Sequence, residues 1–357
     1  MSASGFSRRR AAASSRPTTL RGRAAGPRSA TPGGLPARLS VLVACTLAAG
    51  WAAPGSAQSD AEAGADVLAL APSPRATALG GAYAAGAPGD PFALFHNPAG
   101  IAGPRAADRH GAIGWVLGGA YRAHVGDAAS GSLAARFVAP GGAAAVALRY
   151  LDYGAVEEIV PDPAFGGERG MATGARVRGT EVALSTAYAF EVGVVALGAG
   201  LDVVRTDLVD LDAVAVAGAA GARVGLWDGR LAVGAAVQNL GSDGGPGRDA
   251  PLPRTYRGGV ALALAAASRL RVRVAADAAG PWDRIRPALG AEVGLVGNGG
   301  VVLEARLGWD GSVGRGDALE EFSYGGGIAL GALAVDYAYR GVGVLGDAHQ
   351  IGVRYAP

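Results

Sequence analysis

The stretch RLRVRVAAD, Arg269–Asp277, alternates strictly. Leu270, Val272 and Val274 fall on one side of an extended chain and Arg271, Arg273 and Asp277 on the other, because successive side chains of a strand point to opposite faces. A helix would need apolar residues three and four apart, and this stretch has none at that spacing. One face suits an apolar medium and the other a polar one. VVLEARLGWD repeats the pattern, with Val301, Leu303, Leu307 and Trp309 opposite Glu304, Arg306 and Asp310. LAVDYAYRG does so again, with Leu333, Val335, Tyr337 and Tyr339 opposite Asp336 and Arg340.

Working outward, about fourteen such segments are expected. They fall near 109–119, 128–138, 142–158, 174–191, 193–207, 213–227, 230–241, 255–266, 268–279, 284–297, 300–310, 322–332, 333–342 and 348–355. Val296–Gly300 (VGNGG) and Leu226–Arg230 (LWDGR) are expected to be tight hairpins with Gly at positive φ. Pro161–Ala172, Gly241–Pro253 and Asp310–Glu321 are expected to be longer polar loops. Short turns alternating with long loops suggest a sheet whose two rims face different compartments.

Half of the residues are hydrophobic, 60 of 357 are Gly, and mean hydropathy is positive. That composition fits neither a disordered chain nor an ordinary soluble enzyme. Lys is absent, and eight of the arginines precede Gln58 with no acidic residue among them, leaving 24 Arg against 30 Asp and Glu in the remainder. The basic balance therefore belongs to the N-terminus, and nucleic acid is not an expected partner.

That N-terminus has the features of an export signal. Residues 39–53 (LSVLVACTLAAGWAA) are apolar over a length too short for a membrane helix, and small residues at Gly55 and Ala57 suit cleavage before Gln58. The leader is over-long, which suggests a true start near Leu35. Ser7–Arg10 (SRRR) resembles a twin-arginine signal only in its adjacent arginines. Cys45 is the one cysteine; Leu42–Cys45 loosely fits a lipoprotein box, but the apolar run continues past it. On either reading, the exported chain has no thiol for a disulfide, a metal or nucleophilic catalysis.

A soluble β fold also alternates, with its apolar face as the core. Export, strand number and a charged face built from Arg, Asp and Glu favour the inverse arrangement, an outer-membrane antiparallel β-barrel with lipid outside and charges paired across the lumen. On this reading Arg271, Arg273, Asp277, Glu304, Arg306, Asp336 and Arg340 face the lumen. The expected organisation is a signal with its leader over 1–57, an N-terminal segment over 58–108 and a barrel over 109–357.

Arg75–Gly103, RATALGGAYAAGAPGDPFALFHNPAGIAG, fits no regular element, yet keeps Tyr83, Phe92 and Phe95 at intervals that a flexible linker would waste. This segment, together with Ala235–Gly241 (AAVQNLG), Leu252–Leu262 (LPRTYRGGVAL) and Val335–Tyr355, resembles the PorV/PorQ family, which is related to the FadL/TodX outer-membrane transport proteins. The resemblance covers nearly all of the exported chain. It implies a fourteen-stranded barrel with the N-terminal segment inside as a plug or hatch, in which Gly80, Gly81, Tyr83, Asp90, Pro91, Phe95, Asn97, Pro98 and Gly100 have structural or gating roles. It also implies either passage of small hydrophobic compounds or, in other members, handling of exported proteins for a secretion system. Two features depart from the pattern: the terminal aromatic stands two residues inward, at Tyr355, and the surface loops are short for a fatty-acid channel.

Enzyme chemistry finds little support. Without Lys there is no Walker A loop. Gly341–Gly346 (GVGVLG) matches a dinucleotide-binding pattern but lies between strands. His96, His110, His124 and His349 have no metal-ligand spacing, so neither metal nor cofactor is expected. Asp347 and His349 invite comparison with an acid–base pair, against the simpler reading of a turn entering the last strand. His96 and Asn97 could contact a ligand, although Asn before Pro is first a turn former. The expected partners are outer-membrane lipid and either small hydrophobic ligands or secreted proteins.

Overall fold

The computed structural model describes residues 64–86, 88–103, 114–124, 126–139, 141–209, 211–241, 251–266, 269–311, 321–341 and 347–357. The signal, the leader, Cys45 and His110 lie outside these residues, as do most of the GVGVLG stretch and the ends of the 58–108 segment. The strands are β1 (Trp115–Ala123), β2 (Ala129–Ala139), β3 (Gly142–Pro161), β4 (Gly170–Val192), β5 (Val195–Leu208), β6 (Leu211–Leu226) and β7 (Leu231–Gly241). They continue with β8 (Thr255–Ala266), β9 (Leu270–Gly280), β10 (Arg286–Val296), β11 (Val301–Asp310), β12 (Phe322–Leu330), β13 (Leu333–Gly341) and β14 (Asp347–Tyr355). Each pairs with its sequence neighbours, and β1 closes on β14 from Leu117↔Tyr355 to Ala123↔His349. The result is a closed antiparallel barrel of 14 strands, which leaves no sheet edge around the ring.

The faces are inverted relative to a soluble protein. On β4, Val182, Leu184, Tyr188 and Phe190 are exposed, while Glu181, Ala183, Ser185 and Ala189 between them are buried. On β13, Leu333, Val335 and Tyr337 are exposed and Ala334, Asp336 and Ala338 buried. Large apolar side chains outside and charges inside are the pattern of a lipid-facing wall. No helix among the described residues is long and apolar enough to cross a membrane.

The rims differ. Connections 140–141, 193–194, 227–230, 267–269, 297–300 and 331–332 lie at one rim and have two to four residues; all the longer ones lie at the other, including 242–254 and 311–321. In the 227–230 turn, Trp227 and Asp228 as well as Gly229 have positive φ, at 52°, 56° and 80°, so the left-handed positions are not confined to Gly as expected. Trp227 and Asp228 follow the hairpin's twist at a conformational cost.

Two boundaries depart from expectation. The first strand, expected over 109–119, runs from Trp115 to Ala123. Gly118–Gly119 resembles a turn in sequence, yet a Cβ on Gly118 would stand 2.5 Å from the Phe92 ring, so this glycine marks a close approach within the wall. The loop expected over 161–172 shrinks to 162–169, because β3 and β4 pair with each other beyond their neighbours. β2 reaches only Asp152 of β3, and β5 only Thr180 of β4, so the hairpin between these residues stands above the wall. A bulge at Tyr153–Gly154, with Gly154 at φ 79°, turns the chain there.

Candidate functional site: the filled lumen

Residues 64–103 fold into a short helix α1 (Pro74–Ala78) and 3-10 turns at Asp66–Leu68, Pro91–Phe95 and Pro98–Ile101. Three of the four starts have a local cause. Ser73, Asp90 and Asn97 each accept a backbone N–H from within the following turn, and Pro stands at its first position. Gly80 and Gly81, at φ 66° and 83°, then reverse the chain after α1.

This segment bonds to inward-facing side chains around most of the ring, which places it inside. The Val67 N–H donates to Glu181 on β4 at 2.8 Å, and Arg75 pairs with Glu292 on β10 at 2.6 Å. Thr77 donates to Gln350 on β14, and Arg122 on β1 reaches both at 2.7 and 2.8 Å. Gly80 donates to Ser323 on β12 at 3.2 Å, and Gly81 O accepts from Arg257 on β8 at 3.0 Å. The N–H groups of Tyr83 and Ala84 converge on Asp277 of β9 at 2.8 and 2.6 Å. The Tyr83 hydroxyl donates to Asp90 at 2.5 Å, and Arg354 of β14 stands 3.7 Å from the same carboxylate. Phe95 lies under the Arg149 guanidinium, 4.6 Å from the ring centre, and its carbonyl accepts from Gln238 on β7 at 2.6 Å. Asn97 donates to Ala84 O at 2.9 Å and to Ala222 O on β6 at 3.0 Å. The carbonyl of Gly100 accepts from Gly89, closing a loop that holds Pro91 and Pro98, both buried.

Glycine in the wall makes room for this segment. A Cβ on Gly198 would meet the Ala99 nitrogen at 2.5 Å, and side chains at Gly221, Gly234 and Gly308 would collide with Asn97, Ala84 and Gly80. Every one of these glycines points inward.

The remaining lumen charges form a ladder of alternating sign. Arg273 stands opposite Glu292, and Glu292 opposite Arg306, in consecutive strands. Arg306 is bonded to Glu292 at 2.8 Å, to Asp336 at 2.6 Å and to Glu304. It reaches Asp336 across β12 because Gly327 lies beneath, where a Cβ would sit 2.5 Å from Asp336 and 3.2 Å from the guanidinium. Arg340 pairs with Asp310 at 2.6 Å, and Arg271 is exposed near the short-turn rim. The sequence reading did not single out Arg75, Arg149, Glu181 or Glu292. Their inward positions follow from alternation, but their partners lie far away in sequence.

His96 is 4 % exposed, and neither ring nitrogen has a hydrogen-bond partner. Its ring meets Tyr83 edge-on at 5.3 Å. Burial, and then the nearby Arg257 and Arg149, hold its pKa well below the usual histidine range, so it is neutral. Asp347 and His349 do not pair with each other: Asp347 accepts from Tyr339 at 2.5 Å, and His349 bonds Tyr337 at 2.8 Å, on the outer face. Among the described residues no group of His, Cys, Asp and Glu converges as a metal site would.

No family model matches the chain, and no curated protein does. Among solved structures, the Pseudomonas putida toluene transporter TodX superposes with a TM-score of 0.53 at 13 % identity, covering 80 % of this chain and 98 % of TodX. The Ralstonia pickettii toluene transporter TbuX gives 0.51 at 15 %, with the same coverage. The barrel has the FadL/TodX fold. At these identities the likeness is one of fold alone; both of these proteins are toluene transporters.

Proposed function

We propose that this protein is an outer-membrane channel of the FadL-like type, which passes small hydrophobic solutes and uses residues 64–103 as its plug. One observation carries the reading: apolar clusters lie inside an otherwise charged lumen. Val67 and Leu68 pack with Leu151, Val204 and Leu252, and Phe92 and Phe95 pack with Ile101 and wall alanines. A water-filled porin lumen has no use for such surfaces, whereas an apolar solute needs them. The longer connections face outward from the cell, and the order of motifs shared with PorV/PorQ agrees with this assignment.

The filled lumen also favours a second reading, a component that holds exported proteins at the membrane without conducting. Uptake of radiolabelled toluene by cells with and without the protein separates the two. Faster uptake with the protein supports the channel; equal uptake, with co-purification of secreted proteins sharing a C-terminal domain, rejects it.

A further inference from the structure

Residues Ala65–Leu68 occupy a chamber that has the makings of a binding site. Val67 and Leu68, 2 % and 7 % exposed, fill a space bounded by Leu151, Ala183, Val204, Ala215 and Leu252. Three polar side chains interrupt this apolar lining, one of them Tyr153, whose hydroxyl donates to the Asp66 carboxylate at 2.9 Å near the chamber mouth. Glu181, itself 2 % exposed, accepts the Val67 N–H at 2.8 Å. Arg149 donates to the carbonyls of Val67 and Leu68 at 3.4 and 3.3 Å, while Asp202 holds its other arm at 2.8 Å. The chamber thus recognises one N–H donor and adjacent carbonyl acceptors flanked by branched aliphatic groups. A pure hydrocarbon in the same space would leave Glu181 and Arg149 without these partners, a penalty that an amide avoids.

We propose that this chamber binds a small neutral amide flanked by apolar groups, and that residues 65–68 are its built-in occupant, displaced when the ligand enters. The inference rests on the channel reading and narrows its solute class. Entry is short: Gly64 bonds to Pro251 O of the β7–β8 connection at 3.0 Å, at the rim of longer loops. A cleft lined by Val67, Leu70, Ser130 and Arg149 adjoins the chamber. Because occupant and ligand compete, apparent affinity is reduced by the fraction of chains whose chamber is vacant. Weakening the occupant must therefore tighten ligand binding, which is the opposite of what loss of an ordinary structural contact does.

The test uses the whole protein in detergent, with Cys45→Ser and a spin label at Ala69→Cys, an exposed position next to the occupant. Titration with N-butylbenzamide should turn an immobile spectrum mobile, and butylbenzene should need roughly tenfold more for the same change. Val67→Ala with Leu68→Ala should lower the amide midpoint about fivefold or more. Should that pair fail to fold, as judged by heat-shifted gel migration, Val67→Ala alone is scored by the same direction of change. An unchanged or raised midpoint, an immobile label, or equal potency of the two probes overturns the proposal. Uptake of radiolabelled N-butylbenzamide, measured in parallel, keeps the two readings apart: uptake with an immobile label rejects the amide chamber alone, and a mobile label without uptake rejects the channel alone.

Discussion

Arg75 and Glu292, 217 positions apart, form a two-point pair: Nε to Oε2 at 2.9 Å and Nη2 to Oε1 at 2.6 Å. The pair ties the 64–103 segment to β10, and Arg306 holds the same carboxylate at 2.8 Å. Arg75→Met should therefore cost less than Glu292→Met. The first leaves Glu292 with Arg306, whereas the second takes a partner from the part-buried Arg75 and the buried Arg306 at once. Breaking a buried pair costs roughly 3–5 kcal/mol when the remaining charge has no other partner. Urea-unfolding midpoints of the two variants in detergent should fall in that order, and the reverse order would mean that Arg306 does not cushion the loss.

How much of this was legible beforehand varies with range. Alternation in Arg269–Asp277 and its counterparts located the strands, since a period of two depends only on neighbours. The same reasoning ended the first strand at 119, whereas β1 runs on to Ala123 past Gly118, a glycine that admits Phe92. Arg75–Glu292 could not be read at all, because nothing local records which strand of a closed ring a plug residue meets.

The wall glycines give a second prediction. Gly198→Val keeps a strand-forming residue on β5 but sets side-chain atoms against the backbone of Pro98 and Ala99. Overpacking of this kind costs about 1–3 kcal/mol. The barrel should still form, with residues 98–101 displaced and protease cleavage appearing in the 64–103 segment. Gly258→Val, on β8, meets nothing within 4 Å and serves as the control. Equal resistance of both variants to protease would remove the close-fitting seat.

The two faces of the wall are tested by a pair of arginines. Val335 is 38 % exposed on the outer face as the third residue of β13, and Val335→Arg should destabilise the barrel in lipid, by less than the roughly 2–4 kcal/mol that a midplane arginine costs. Val302 pairs with Ala329 on the inward side, two residues from Glu304, and Val302→Arg should be tolerated better. Equal losses in lipid-vesicle folding titrations would mean that lipid does not meet the Val335 face.

His96 sets a pH dependence with a definite sign. Tyr83 meets its ring edge-on, Arg257 and Arg149 act on it through their charge, and the carboxylates of Asp90, Asp202 and Asp277 are engaged by Tyr83, Arg149 and Arg257 respectively. Its seated form resists the proton that an unseated histidine accepts near pH ~6.5. Seating is therefore fully supported above that pH and weakens as pH falls below it. Protease sensitivity of residues 64–103 should rise on acidification through about pH 6 in the wild type. His96→Phe, which keeps a ring against Tyr83, should remove that rise; an unchanged profile would assign the effect to other groups.

Removing residues 64–103 tests the plug itself. The wall satisfies its own backbone hydrogen bonds by closure of β1 on β14, so strand content and heat-shifted gel migration should survive the deletion. What changes is the interior. Asp277, Glu181 and Glu292 lose only their partners within residues 64–103, water replaces those, and the inward side chains left behind are mostly small or charged. Planar-bilayer recordings should accordingly show a larger and steadier ionic conductance than the whole protein. Phe95→Asp should give a partial version, because a carboxylate in place of the ring ends the Phe92–Phe95 contact and the apolar packing around it, and competes with Asp202 for Arg149, while leaving most of the other bonds intact. Its expected signature is intermittent opening. A folded deletion variant with unchanged conductance would show that the segment does not close the pore, and the gating role would be lost even though the residues lie within the ring.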